Sequence, residues 1–235
     1  MNNIKARSLT IGLVMLIALS LITAFVIYGY VNKKSSSHTS SNSILVACVG
    51  DSITQGTPYP MDLWTLLGYS NYTLENFGVG GTTVSLSSQT PYMNTTAFQN
   101  ALEFQPNIVI IMLGTNDAQP DLEQYNTSFV GDYVKLVDSF KALTSNPKIW
   151  IVLSPPIFGN KNGTIDPAYF ASTIIPLIKQ VANETNLPTI NVYSALANYS
   201  ADFPDGIHPN AAGAQIIANT IYQAITSQSP PSSAT

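Results

Sequence analysis

The chain alternates short, wholly apolar runs with stretches in which apolar residues recur every three or four positions. Ile44–Val49 is a continuous apolar run, as expected of a strand buried on both faces. Ile108–Leu113 is of the same kind, Lys148–Leu153 reads as a fourth strand, Tyr72–Phe77 is a weaker one, and Thr189–Val192 is a short fifth. Helical periodicity appears at Pro58–Leu67, Thr96–Phe104, Phe129–Leu143, Ala168–Glu184 and Ala211–Ile225. Strands alternating with helices predict an α/β domain, with a parallel sheet covered by helices on both faces. No internal repeat is present.

Two segments stand outside this pattern. Leu9–Val31 is uncharged and almost wholly apolar, and as a helix would reach roughly 34 Å, enough to cross a bilayer core. Lys5 and Arg7 precede it, and Lys33 and Lys34 follow it, so the flanking charges set orientation only weakly. The rival reading is a cleaved signal peptide, whose apolar region is shorter and ends at a small-x-small site. Tyr28, Tyr30 and Asn32 are poor cleavage context, so the expectation is an uncleaved anchor with the domain outside the cytoplasm, or secretion if the segment is cleaved. The Ser-rich 35–43 stretch, with His38, reads as a linker. Leu45-Val46-Ala47-Cys48 resembles a lipoprotein cleavage box, but lipidation at Cys48 would destroy the first strand. The organisation predicted is therefore residues 1–34 as anchor or signal peptide, 35–43 as linker, 44–226 as the globular domain and 227–235 as a loose tail.

That domain, roughly 185 residues, is large enough for one core and too small for two. Charged residues make up only 9% of the chain and the formal net charge is −4, with no basic stripe, which argues against a nucleic-acid partner. Ser, Thr, Asn and Tyr take over the polar surface, consistent with an extracytoplasmic domain. The single cysteine, Cys48, excludes an internal disulfide and reads as a small core residue; with only His38 and His208 as histidines, a structural Cys/His zinc site is not expected. Six Asn-x-Ser/Thr sequons occur, at Asn71, Asn94, Asn126, Asn162, Asn183 and Asn198, and they matter only if the domain is exported where glycosylation occurs.

In a parallel α/β sheet, ligands bind beyond the carboxyl ends of the strands. Four polar loops follow such ends: Gly50-Asp51-Ser52-Ile53-Thr54-Gln55-Gly56, Gly78-Val79-Gly80-Gly81-Thr82-Thr83, Gly114-Thr115-Asn116-Asp117 and Asp205-Gly206-Ile207-His208-Pro209. Serine needs a base to act as a nucleophile, and His208 is the only histidine in the folded region. Asp205, three residues earlier, can orient the imidazole through its second nitrogen. The backbone N–H of Ser52, the backbone N–H of Gly81 and the side-chain amide of Asn116 can hold the oxyanion of a tetrahedral intermediate. Standing alone, Ser52 would read equally well as a helix cap, and His208 as a packing residue. Asp51 and Asp117 are expected to hold loops through backbone N–H groups, not to act as acids.

These four blocks resemble the SGNH (or GDSL) hydrolases. Ser52 stands in the Gly-Asp-Ser block, Gly81 in the glycine block, Asn116 in Gly-Thr-Asn-Asp and His208 in Asp-x-x-His-Pro, in that order, over Ile44 to Ile225. Gly78, Gly80 and Gly81 compete for the glycine position, and the family's Asn-x-x-x-x-Gly pattern aligns Gly81 with Asn76. The resemblance implies a flavodoxin-like three-layer α/β/α sandwich with a five-stranded parallel sheet, and chemistry without metal or organic cofactor. The stretches Pro91–Asn94, Ala97–Leu102 and Ile110–Leu113 are similar to those of bacterial sialate-type or carbohydrate O-acetylesterase-like members.

The function so implied is a serine esterase acting by a Ser-His-Asp mechanism on a small-molecule or glycan ester, foremost an O-acetylated carbohydrate. The alternatives are a lysophospholipase- or thioesterase-like lipolytic hydrolase, a sugar acyltransferase with the same triad, and a non-catalytic surface binding protein. Val84–Asn94 follows an oxyanion donor directly, so Tyr92 and Met93 are expected to wall a pocket for a small acyl group.

Overall fold

The computed structural model describes residues 43–159 and 164–227. The Leu9–Val31 anchor, the 35–43 linker up to Asn42, the tail beyond Ser227 and the sequon at Asn162 lie outside the described residues. Among the described residues, no helix is long and apolar enough to cross a membrane.

Five parallel strands form one sheet: β1 (Ile44–Gly50), β2 (Tyr72–Gly78), β3 (Ile108–Met112), β4 (Lys148–Leu153) and β5 (Thr189–Asn191), in the order β2-β1-β3-β4-β5. This is the α/β sandwich expected from the pattern, and the strand order is that of a doubly wound, flavodoxin-like sheet.

The helices are α1 (Ser52–Gly56), α2 (Tyr59–Leu67), α3 (Thr96–Glu103), α4 (Phe129–Lys141), α5 (Pro167–Tyr169), α6 (Ile175–Thr185), α7 (Val192–Ala195) and α8 (Ala211–Ser227). A π-helical stretch, Phe170–Ile174, joins α5 to α6. The sequence predicts one helix from 168 to 184, and Pro176 accounts for the difference. Its nitrogen has no hydrogen for the carbonyl of Ser172 and its ring presses on that carbonyl, so the turn before it widens.

Strand alternation divides the core in two. Ala47, Val49, Val109, Ile111, Ile149 and Ile151 face α3, α4 and α6 through Phe98, Phe129, Phe140 and Ile178. Val46, Cys48, Ile110, Met112, Trp150 and Ile190 face α2 and α8 through Leu63, Ile217 and Ile221. Both faces are buried, which is why the central strands carry no polar alternation. Cys48 is fully buried, and burial pushes its thiol up to about 12, so it is a core residue, as expected, and not a nucleophile.

The chain reverses direction of winding between β1 and β3, and this is where such sheets open a crevice at their carboxyl edge. The loops carrying Ser52 and Asn116 leave β1 and β3 on either side of that point.

Candidate active site

The nucleophile candidate is placed by a short helix that five residues could not sustain alone. Asp51 caps α1, its carboxylate accepting from the N–H of Ile53 at 2.9 Å. The cap is therefore Asp51, and Ser52 is the first helical residue, whose N–H has no partner within the helix. Gly50 lets α1 fold back on the sheet. A Cβ there would lie 2.0 Å from Thr54 Oγ1 and 2.7 Å from the carbonyl of Met112. Asn76 Nδ2 donates to the carbonyl of Thr54 at 2.8 Å, tying the helix to β2.

Ser52 Oγ lies 2.9 Å from His208 Nε2, and His208 Nδ1 lies 2.7 Å from Asp205 Oδ2. The other carboxylate oxygen of Asp205 accepts from the N–H groups of Ile207 and His208 at 2.9 and 2.7 Å. One carboxylate thus shapes the loop and orients the ring. Partial burial pulls its pKa upward, but the bonds from His208 and Ile207 outweigh this and hold it at about 2.

The His208 loop rests on a support with no titratable signal in the sequence, the loop after β4. Phe158 N–H donates to the carbonyl of Gly206 at 2.8 Å, and the Phe158 ring packs on Phe203 with centroids 5.0 Å apart. Gly206 has φ +88°, and a Cβ there would meet the carbonyl oxygen of Gly159 at 2.7 Å. A residue with a side chain at 206 would push the two loops apart.

On the opposite side of Ser52, hydrogen bonds separate the three competing glycines. Gly78 N–H donates to Asn76 Oδ1 at 2.9 Å and Gly80 N–H to Gln55 Oε1 at 2.8 Å. The N–H of Gly81 has no acceptor among the described residues. Asn116 donates one side-chain N–H to the carbonyl of Thr82 at 2.9 Å, which leaves its second free.

Asp51 and Asp117 are fully buried. Asp117 accepts from the N–H groups of Val84 and Ser85, at 2.9 and 3.0 Å, which is the loop-holding role expected of it. Burial pushes Asp117 up to about 7 and Asp51 up to about 6; the bonds from Val84 and Ser85 oppose the first, and that from Ile53 the second. Asp132, which the sequence did not single out, accepts from the N–H of Leu86 at 3.0 Å and pairs with Lys135 at 3.0 Å.

The structure overturns the expectation for Tyr92. Its side chain is 1% exposed, packs against Phe98 in the core, and donates its hydroxyl to the carbonyl of Phe77 at 2.7 Å. It has no face to offer a substrate, because the segment turns back beneath β2. Met93 is half-buried and packs on the same core. Among the sequons, Asn126 is 8% exposed and donates to the carbonyl of Asp117 and to Tyr169 Oη. That sequon is closed to a glycan in the folded protein, whereas Asn71, Asn94, Asn183 and Asn198 are exposed.

A hydroxyl, an imidazole and a carboxylate in line, beside unpaired N–H donors at the carboxyl edge of a parallel sheet, form the apparatus of acyl transfer. Residues 48–216 match the GDSL-like Lipase/Acylhydrolase family, and the chain belongs to it. It is 32% identical over 218 residues to an acetylxylan esterase of Xylanibacter ruminicola, covering 82% of this chain and 45% of that protein. It is 29% identical over 157 residues to a multidomain esterase of Ruminococcus flavefaciens, covering 62% of this chain and 18% of that one. The chain thus spans less than half the length of these curated relatives. Among solved structures, a carbohydrate acetylesterase from Sinorhizobium meliloti superimposes with a TM-score of 0.64 at 20% identity, over 79% of this chain and 99% of the other.

Proposed function

We propose that this protein is a serine esterase that removes O-acetyl groups from carbohydrate. The observation that carries the catalytic part is the continuous line Ser52–His208–Asp205, at 2.9 and 2.7 Å. His208 Nε2 takes the hydroxyl proton as Ser52 Oγ attacks the ester carbon. The oxyanion forms beside the N–H of Ser52, the N–H of Gly81 and the free amide N–H of Asn116. The intermediate collapses, the C–O bond to the sugar breaks, and the imidazolium returns its proton to the departing oxygen. Water then repeats the sequence on the acyl-serine, releasing acetate and restoring Ser52. Asp205 holds the imidazole in the tautomer that accepts at Nε2 and stabilises the imidazolium.

The substrate half of the proposal is supported by the acetylxylan esterase of Xylanibacter ruminicola among the relatives. The full-length protein is assayed on p-nitrophenyl acetate, butyrate and octanoate and on acetylated xylan, beside Ser52→Ala. Release of acetate from the polysaccharide, lost in Ser52→Ala, is the expected result. A kcat/KM rising steadily from acetyl to octanoyl would replace this reading with a lipolytic one, and transfer of the acyl group to an added sugar in place of water would make the protein a transferase.

The proposal includes attachment to a membrane through Leu9–Val31, for which the support is the apolar length of that segment. Fractionation should leave the full-length protein in the membrane after a high-salt wash. A soluble product whose N-terminus begins beyond Val31 would identify a signal peptide instead.

A further inference from the structure

We propose that Gln55 is a positioning residue that presets the oxyanion hole, an inference that rests on the esterase reading above. Gln55 follows Ser52 by three residues, so the two side chains leave the same side of α1. Its Oε1 accepts the N–H of Gly80 at 2.8 Å. Gly80 itself lies against the nucleophile: a Cβ there would be 3.6 Å from Ser52 Cβ and 2.9 Å from Gln55 Oε1. The helix that carries the hydroxyl therefore grips the loop that supplies an oxyanion donor.

The grip matters because Gly80 and Gly81 are adjacent and glycines rotate at little cost. A flip of the peptide between them would turn a carbonyl toward the place where negative charge develops and remove the N–H of Gly81. Two contacts bracket that peptide. Downstream, Thr90 Oγ1 donates to the carbonyl of Gly81 at 2.9 Å. Upstream, Gln55 holds the N–H of Gly80. The upstream contact is made by an exposed side chain to an exposed glycine. It therefore adds little to global stability and acts on the local geometry of one donor.

The test uses the full-length protein and p-nitrophenyl acetate. Gln55→Met keeps the side-chain length and removes the acceptor; Gln55→Glu keeps the acceptor, and its exposed charge is screened by salt. Gln55→Met should lower kcat roughly five- to tenfold, the loss of one neutral hydrogen bond expressed as rate, with KM and Tm unchanged. Gln55→Glu at 0.5 M salt should stay within about threefold of wild type. Affinity for an acetate-sized boronic acid, whose adduct on Ser52 occupies the same donors, should fall in Gln55→Met in parallel with kcat. Gln55→Ala repeats the measurement should the methionine variant fail to fold. Wild-type kcat in Gln55→Met, an equal loss in the Glu and Met variants, or a rise in KM alone would overturn the inference. A wild-type protein that hydrolyses no ester overturns instead the esterase reading on which it rests.

Discussion

Asp205→Asn separates the two tasks of one carboxylate. In the wild type, Oδ1 receives the N–H groups of Ile207 and His208, and Oδ2 faces His208 Nδ1 at 2.7 Å. Asparagine keeps one oxygen. The two backbone donors dictate where it sits, since the reverse orientation would set an NH2 against two N–H groups. The NH2 must then face Nδ1, which becomes an acceptor, and the ring proton moves to Nε2. Nε2 now donates to Ser52 and can no longer take its proton. The lost attraction between carboxylate and imidazolium adds to this. At 2.7 Å it lies between about 1.5 kcal/mol in water and about 6 kcal/mol near a protein surface. The side chains of His208 and Asp205 are 42% and 48% exposed, so screening leaves about 1 kcal/mol of that attraction; with the wrong tautomer added, kcat should fall by at least about tenfold. The assay is kcat on p-nitrophenyl acetate at pH 8 with Tm measured in parallel. Asp205→Asn should lose only the stability that the carboxylate charge contributes, whereas Asp205→Ala, losing the clamp on two N–H groups as well, should be less stable again by about 1–2 kcal/mol. An asparagine variant within threefold of wild-type kcat would show that Asp205 only shapes the loop.

Asn116→Ala should reduce kcat by about a hundredfold and leave KM nearly unchanged, because its free N–H meets a charge that exists only in the transition state; a change confined to KM would make Asn116 a ground-state contact. Stability should depend on pH in two opposed ways. Asp51 and Asp117, raised to about 6 and about 7, stabilise the fold below the ordinary carboxylate value and lose that contribution as pH rises through 6 and 7. Asp205, lowered to about 2, contributes above the ordinary value and loses its share as pH falls toward 2. Tm should thus rise from pH 8 to pH 5 and fall again below pH 4, with the alkaline limb flattened in Asp117→Asn; a Tm independent of pH between 8 and 5 would contradict the burial argument.

The parts of the fold readable from the chain are those where burial leaves a periodic trace. The runs at Ile44–Val49 and Ile108–Leu113 have no polar face because helices cover both sides of the sheet, and the four loops follow from the strand ends. Helix α1 was not legible as an element, because five residues are too few to display a period and it exists only by capping from Asp51 and seating on Gly50. The break at Phe170–Ile174 could have been found from Pro176. The role expected of Tyr92 failed because a loop has no period from which to infer direction, and its hydroxyl bonds Phe77, fifteen residues earlier. The buttress of Phe158 and Gly159 under Gly206 left no signal, since it joins two loops through backbone groups and a single ring contact, with no period and no titratable residue to mark it.

The hydroxyl of Ser52 and the imidazole that activates it are separated by 156 positions in the chain. At ordinary rates of synthesis, the serine is made roughly 8–30 s before the histidine. Throughout that interval, the nascent polypeptide carries a hydroxyl no more reactive than any other serine, and cannot attack the esters of the cell that makes it. A chain interrupted anywhere before His208 is equally inert. On the esterase reading, turnover therefore waits until β5 and the loop beyond it have joined the sheet and brought His208 to Ser52.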